Sequence, residues 1–183
     1  LDEQQNHARW HDRIRSDLCA LIFNNPEDIG GFREHALALG IDITLAHTAL
    51  ALKLKGDQSP VHTPRVDDSP LQPIIEAISR TIDVAPTAIV RTRRYGHQLL
   101  WLPSGNPSAP VASERRLVGK IEAALRDRKE VSAIGVGLPN LGPTGWRLSA
   151  EQALKALELG ARLTVESSMF RYSDLAIGDL IAG

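Results

Sequence analysis

The last third of the chain alternates between strand-like and helix-like patterns, and this order restricts the possible folds more than any other feature. Val131 to Gly137 is a short β-rich run, Leu138 to Gly145 is predicted as a loop, and Leu148 to Arg162 has apolar residues at helical spacing. A second short strand should end near Tyr172. A strand, a helix and a strand in this order form a βαβ unit with a right-handed crossover. We therefore expect the segment to close a small α/β domain.

The preceding residues extend the same alternation. Two helices are predicted first, over Asn6 to Phe23 and from Ile29 to the glycine at position 40. The next predicted elements are a strand covered on both faces (His47 to Leu54), a surface loop (Asp57 to Ser69), a helix (Leu71 to Ile82), two hairpin strands (Thr87 to Arg94 and His97 to Leu102) and a helix that Ser113 could cap. A glycine between two β-rich runs is typical of a tight hairpin turn.

This element order predicts an α/β (α+β) fold with a ferredoxin-like or nucleotide-cyclase-like mixed sheet, a central β-hairpin, helices packed on the sheet and N-terminal helices. Connections through helices indicate parallel neighbouring strands. A doubly wound sheet is the alternative, although the central hairpin argues against it. We expect residues 1–40 to form a helical segment packed on the core, residues 41–178 to form the α/β domain and residues 179–183 to begin a linker.

Charge and composition exclude several classes of protein. The chain has 21 basic and 22 acidic residues, whereas a DNA-binding module of this size is usually clearly basic. Cys19 is the single cysteine, which rules out an internal disulfide and predicts a buried structural thiol. The sequence has no apolar run of about 18 residues and no signal peptide, so we expect a cytoplasmic protein without membrane contact. Leu1 in place of a methionine suggests a piece of a longer protein.

A pair of glycines suggests a nucleotide loop at first sight. Gly135 and Gly137 follow a strand and precede a helix, as in dinucleotide-binding proteins. However, Pro139 interrupts the turn, Asn140 occupies the third glycine position, and the predicted helix begins too late for its N-terminus to meet a pyrophosphate. We therefore favour close backbone packing of a central strand.

Two histidines have a spacing that can bind metal. His7 and His11 lie four residues apart on one predicted helix face. No third ligand is evident, and a solvated helix face is the favoured interpretation. The sequence therefore predicts no metal site and no cofactor.

The predicted hairpin carries the sequence's best candidate for a ligand contact. Its members are Arg91, Arg93, Arg94, Tyr95, Gly96 and His97. One interpretation is a contact with a phosphate or an acidic ligand. The favoured alternative is a solvated strand edge that charge protects from pairing with other chains. No catalytic residue is predicted, because the serines at positions 104, 167 and 168 lack a nucleophile motif.

Features at both ends of the chain also occur together in one protein family. Near the N-terminus, a predicted helix ends with Ala36, Leu37, Leu39 and Gly40 and is followed by a strand. Near the C-terminus there are three features: the strand from Ile134 to Gly137, a helix start with Gly145, Arg147 and Ser149, and the pair Asp174 and Leu175. In this order they resemble the degenerate GGDEF-like domain of PucR/CdaR-type bacterial transcriptional regulators. The resemblance covers roughly residues 15 to 178.

The resemblance implies a non-catalytic regulatory or oligomerisation domain, acting as a homodimer. It would couple sensing to a C-terminal helix-turn-helix domain that binds DNA and is absent from this chain. Diguanylate cyclases, after which the domain is named, hold two magnesium ions with acidic residues on the first strand and in the hairpin. Neither Ala49 to Lys55 nor Arg94 to Gln98 contains an acid, so we expect no cyclase activity. The alternatives are a sensor of a small-molecule effector (a purine, sugar acid or nucleotide) and an enzyme that processes nucleotides.

Overall fold

A computed structural model of the chain describes residues 2–55, 71–163 and 168–175. Its elements are α1 (Asp2–Asn24), α2 (Ile29–Ala38), β1 (Ala46–Leu54), α3 (Gln72–Ile82), a 3-10 turn (Pro86–Ala88), β2 (Val90–Arg94), β3 (His97–Gly105), α4 (Pro110–Leu125), β4 (Val131–Val136), α5 (Gly142–Arg162) and β5 (Met169–Arg171). This order of helices and strands confirms the predicted one. The predicted loop of residues 57–69 and the linker of residues 179–183 lie outside the described residues, and the domain boundaries stay predictions.

The five strands form one mixed sheet in the order β2-β3-β1-β4-β5. Every neighbouring pair is antiparallel except β4 and β5, which are parallel. The α/β (α+β) class is confirmed, and the doubly wound alternative is wrong. The expectation that helix-connected strands are neighbours holds only for β4 and β5. The reason is that the hairpin folds β3 back between β1 and β2, where its buried middle residues pair with β1.

The sheet has a hydrophobic core on each face. Helices α1, α2 and α5 cover one face and helices α3 and α4 cover the other. Strand β1 contributes to both, because alternate side chains point to opposite faces: Ala49 and Ala51 belong to the first core, and Leu50 and Leu52 to the second. The prediction that this strand is covered on both faces is confirmed. Within the described ranges, no helix is long and apolar enough to cross a membrane.

Two helices begin earlier than the sequence indicates. Helix α5 starts at Gly142, six residues before the predicted Leu148, and α4 starts at Pro110, so that Ser113 lies inside the helix and does not cap it. Both starts contain a proline in the first turn, where its missing N–H costs nothing because that group has no helical partner. A proline fits a loop as well as a first helical turn, so the sequence predicts the starts of α4 and α5 too late.

A serine of α5 completes the hydrogen bonding of the central strand. The Ser149 hydroxyl oxygen accepts a hydrogen bond of 2.9 Å from the backbone N–H of Ala49, and both residues are fully buried. Replacing Ser149 with alanine should cost about 1–3 kcal/mol, because it leaves that N–H without a partner. Urea unfolding measures the loss. Ser132→Ala is the control: it removes an exposed hydrogen bond to the Lys53 carbonyl and should change stability by about 0.5 kcal/mol at most. Equal unfolding midpoints for Ser149→Ala and the unaltered protein would contradict a stabilising hydrogen bond between Ser149 and Ala49.

Candidate functional site: the β2–β3 hairpin and its surroundings

The hairpin turns tightly through two residues with left-handed backbone conformation. Tyr95 has φ +52° and Gly96 has φ +77°, and the flanking Arg94 and His97 are paired across the strands. Positive φ at both central positions is characteristic of the type I′ turn that suits the twist of a two-stranded hairpin. The predicted tight turn at the glycine is confirmed. The Tyr95 side chain is exposed at the tip.

The structure divides the predicted ligand-contact residues between two faces of the sheet. Arg91 points to the α3 side, where its Nη1 donates a hydrogen bond of 3.2 Å to the Gln72 side chain, and Arg93 shares that face by strand alternation. Arg94 points to the α1 side, together with its cross-strand partner His97. The six residues therefore do not converge on one point, and a ligand at the hairpin would meet them as two separate groups.

Arg94 connects the hairpin to the N-terminal helix. Its guanidinium carbon lies 3.8 Å from the centre of the Phe23 ring of α1 and 5.3 Å from the Tyr95 ring. Phe23 in turn contacts the buried Trp101 ring of β3, at 5.9 Å between centroids. A cation–π contact of this kind contributes about 0.5–2 kcal/mol, depending on desolvation. The hairpin and α1 therefore form one packed unit.

Cys19 lies at the same junction and behaves as the sequence predicts. Its thiol is buried and donates a long hydrogen bond of 3.7 Å to the Arg91 carbonyl. Burial raises the pKa of the Cys19 thiol to about 12. Because the thiolate is the reactive form, this cysteine should be inert at neutral pH. The prediction of a buried structural thiol is confirmed.

The residues beside the hairpin do not suit the paired magnesium ions of a cyclase. Magnesium is held by oxygen ligands, chiefly carboxylates. Strand β1 exposes only Lys53 along its length, and Leu52 pairs with Gln98 next to the hairpin turn. In residues 2–55, 71–163 and 168–175, no group of three or more histidine, cysteine or acidic side chains could hold a metal ion. The described side chains therefore provide cations where that chemistry requires anions.

A cavity of about 600 Å³ opens beside the hairpin, between the C-terminal end of α5 and the sheet. Leu157 and Phe170 give it apolar walls, while Lys53, His97 and Arg162 supply polar groups at its edge. Its volume falls within the range of small-molecule sites, although Glu158 and the two cationic side chains make much of its lining charged. The sequence indicated His97 as a ligand contact but not the cavity, because residues from five separate segments form its walls.

Gly135 of β4 and Gly137, the residue after this strand, are packed against α5. A Cβ atom on Gly135 would clash with the Ala153 carbonyl and lie 2.8 Å from the Leu157 nitrogen. One on Gly137 would clash with the Ser149 carbonyl. Backbone atoms of the helix therefore occupy the space that a nucleotide would need. The close packing favoured from sequence is confirmed, although the helix begins earlier than predicted.

His47 is a buried histidine whose importance the sequence did not indicate. Its exposed fraction is 1%, its ring packs 4.3 Å from the Trp146 ring, and its Nδ1–H donates to the Leu45 carbonyl at 3.0 Å. Burial lowers the pKa of His47 to about 4. A histidine within the largely apolar β1 was the available signal.

The lowered pKa of His47 predicts acid sensitivity. The unfolded chain binds a proton at His47 near pH 6.5, whereas the folded protein does so only near pH 4. The contribution of neutral, buried His47 to the free energy of unfolding is therefore fully present above pH 6.5. It is lost as the pH falls towards 4, and the total loss is about 3 kcal/mol. Urea unfolding of the protein and of His47→Phe from pH 7.5 to 4 measures it. The difference between the two stabilities should shrink as the pH falls; a constant difference would contradict the buried neutral state.

One protein-family profile matches most of the chain. The profile of the GGDEF-like domain family matches residues 24–159, which run from the end of α1 through most of α5 and include strands β1 to β4. A search against curated proteins found no match. The family match covers more than half of the chain and supports the GGDEF-like part of the resemblance. This chain belongs to the GGDEF-like domain family.

Proposed function

We propose that this domain is a non-catalytic regulatory and oligomerisation domain of a PucR/CdaR-type transcriptional regulator. It would act as a homodimer in the cytoplasm and influence DNA binding through a helix-turn-helix domain outside this chain. The observation that carries the proposal is the hairpin itself. Where a cyclase needs carboxylates, the turn has Tyr95 and Gly96 between Arg94 and His97, and Arg94 packs on Phe23 of α1.

A regulatory role requires that movement at one end of the domain reaches the other end. At the N-terminal side, the second half of α1 is fixed to β2 by the contacts of Phe23 and Cys19. Leu18 and Ile22 of the same helix are fully buried in the core beneath it. A displacement of α1 would therefore displace the hairpin with it. This coupling supports a role in receiving a signal from a preceding region.

The C-terminal side is fixed in a comparable way. Glu114 of α4 is buried, with 3% of its surface exposed, and accepts a hydrogen bond of 3.0 Å from the Ser173 hydroxyl. Arg171 lies 3.9 Å from the same carboxylate and donates to Asp174 at 3.1 Å. A buried carboxylate is stable only with such partners. The residues that follow β5 are thus attached to α4, which supports transmission towards a following domain.

The absence of cyclase chemistry is tested by turnover. The purified chain with GTP and magnesium should give no cyclic dinucleotide and no diphosphate above a protein-free reaction. An active diguanylate cyclase, assayed in parallel, is the positive control. Product formation that scales with the concentration of this chain would refute the non-catalytic proposal.

Self-association is tested by sedimentation at increasing protein concentration. Helices α1 and α2 expose apolar side chains, including Trp10 at 46% and Leu37 at 76%. We expect a dimer that Leu37→Asp weakens, because burying a charge at an interface is costly. Val111→Asp is the matched control, since Val111 is similarly exposed at 66% but lies on α4. A strict monomer at high concentration, or equal weakening by both variants, would contradict dimerisation through these helices.

The cavity beside the hairpin supports a second candidate, a sensor of a small-molecule effector. Thermal-shift screening with purines, sugar acids and nucleotides tests it, since a ligand at a hundred times its dissociation constant adds about 2.7 kcal/mol. Ala161→Trp should abolish any shift, because Ala161 lines the cavity and is exposed. Ala123→Trp, at an exposed position of α4, should leave the shift intact. A shift that survives Ala161→Trp would place the ligand elsewhere.

A further inference from the structure

The first turns of α1 hold two histidine rings whose nitrogens converge. The Nε2 atoms of His7 and His11 lie 3.0 Å apart, and the two rings stand nearly perpendicular, at 81°. Residues 2–10 of this helix are exposed along their whole length. The spacing alone favoured a solvated helix face with independent side chains. The geometry differs from that, because the two rings are in contact through the same nitrogen atom, Nε2.

Trp10 restricts both rings. Its ring lies 5.1 Å from the His11 ring in an edge-to-face contact and 6.2 Å from the His7 ring in a stacked one. Aromatic contacts of this type contribute about 0.5–1.5 kcal/mol beyond the area that they bury. The rotamers that make the two nitrogens converge are therefore supported by a third side chain, which lowers the entropy that a ligand would have to remove.

We propose that His7 and His11 chelate one late divalent transition-metal ion, of the class of Cu²⁺ and Ni²⁺. Imidazole nitrogens suit these ions and bind divalent metals at about 2.0–2.1 Å. Two such bonds at the right angle of tetragonal coordination place the nitrogens about 3.0 Å apart, which is the separation of the two Nε2 atoms. The pair is thus preorganised for two adjacent coordination positions.

The other coordination positions are open to solvent. A hollow of about 630 Å³ adjoins the two rings, and Glu3 and Asp12 lie on its wall. Asp12 is held by Arg15 at 2.9 Å. No third metal ligand is placed beside the histidines in the part of the chain that the structure describes. Water or an added ligand therefore completes the coordination, and this is a two-ligand site.

Metal binding replaces the hydrogen bond between the two rings with two bonds to the ion, and the neutral pair keeps both of its protons. Without metal, one Nε2 donates a hydrogen to the other, so one ring is the donor and the other the acceptor. On binding, the donor ring moves its proton from Nε2 to Nδ1, and both Nε2 lone pairs bind the ion. The His11 Nδ1 is buried without a hydrogen-bond partner among the described residues, so placing a proton there has a cost. Protons also compete with the ion, because only neutral imidazole binds metal.

Trp10 provides a reporter for the test. It is 46% exposed, whereas Trp101 and Trp146 are buried, and Cu²⁺ bound to His11 would quench its long-wavelength emission. The full chain without a histidine tag is titrated with CuCl₂ at pH 7.5 and then treated with EDTA. We expect reversible quenching that saturates at one ion per chain. His7→Ala and His11→Ala should each weaken binding by about tenfold or more.

The matched control is His35→Ala, since His35 lies alone on α2 and bonds to the Gly31 carbonyl. It should leave the titration unchanged. Calorimetric titration with NiCl₂ is a second measurement, and there Trp10→Phe should retain most of the heat because Trp10 is not a ligand. Circular dichroism verifies that each variant is folded. Titrations that are the same for the protein, His7→Ala and His11→Ala would overturn the proposal, as would equal weakening by His35→Ala.

Discussion

Replacing Trp101 with alanine should lower the free energy of unfolding by about 3–5 kcal/mol, the range for a buried aromatic residue. Trp101 is fully buried in β3, between α1 and α5. Its indole N–H donates a hydrogen bond of 2.9 Å to the Trp146 carbonyl, and the two indole rings stack at 6.0 Å. The variant would lose the contacts of the ring and the indole hydrogen bond, and it would leave a cavity. Urea unfolding followed by far-ultraviolet circular dichroism measures the loss without relying on tryptophan emission.

Two further variants separate the causes of this loss. Trp101→Phe keeps most of the ring volume but removes the donor, so it should cost less than the alanine variant, with about 0.5–1.5 kcal/mol from the lost hydrogen bond. Trp10→Ala removes the same side chain from a half-exposed position of α1 and should cost about 0.5–1.5 kcal/mol, the range for the aromatic contacts that it loses. Equal losses for Trp101→Ala and Trp10→Ala would contradict the central position of Trp101.

Replacing Gly135 with alanine should be as damaging, although it adds a single methyl group. Overpacking a core usually costs about 1–3 kcal/mol and sometimes more. Here the added carbon would meet the backbone of α5 at Ala153 and Leu157. A backbone cannot rotate away as a side chain can, so we expect a loss of about 3 kcal/mol or more. The helix would have to move off the sheet, and urea unfolding measures the result.

Gly119 provides the opposite result for the same chemical change. It lies within α4, and a Cβ atom there would meet nothing within 4 Å. Alanine is favoured over glycine inside a helix by about 1 kcal/mol, so Gly119→Ala should stabilise the protein. The two substitutions are therefore expected to differ in sign. A Gly135→Ala variant as stable as the unaltered protein would contradict the close contact between β4 and α5.

Local sequence signals predicted the order of elements and the hairpin turn. Apolar residues at helical spacing or in β-rich runs require particular neighbours in the folded state, so they indicate an element wherever it lies. A glycine between two β-rich runs likewise has a local cause, because both turn residues need positive φ. Boundaries were less certain, as the starts at Pro110 and Gly142 show. A proline fits a loop and a first helical turn equally well.

The candidate site was only partly predictable. The sequence indicated Arg91, Arg93 and Arg94 as one basic region, but strand alternation and the packing of α1 separate them. It gave no indication of the cavity lined by Lys53, His97 and Phe170, whose residues are far apart in the chain. The convergence of two histidine nitrogens also depends on rotamers, which spacing does not determine.

Residues close together in the chain specify several properties of this protein. These properties are the α/β (α+β) class, the order of the elements, the two-faced burial of β1 and the lack of acids along β1 and at the hairpin turn. Other properties arise only in the folded molecule: β3 lies between β1 and β2, α5 seals Gly135, and Arg94 packs on Phe23. Pairing and packing between distant segments depend on the fit of whole surfaces, and that fit exists only once all the layers are assembled.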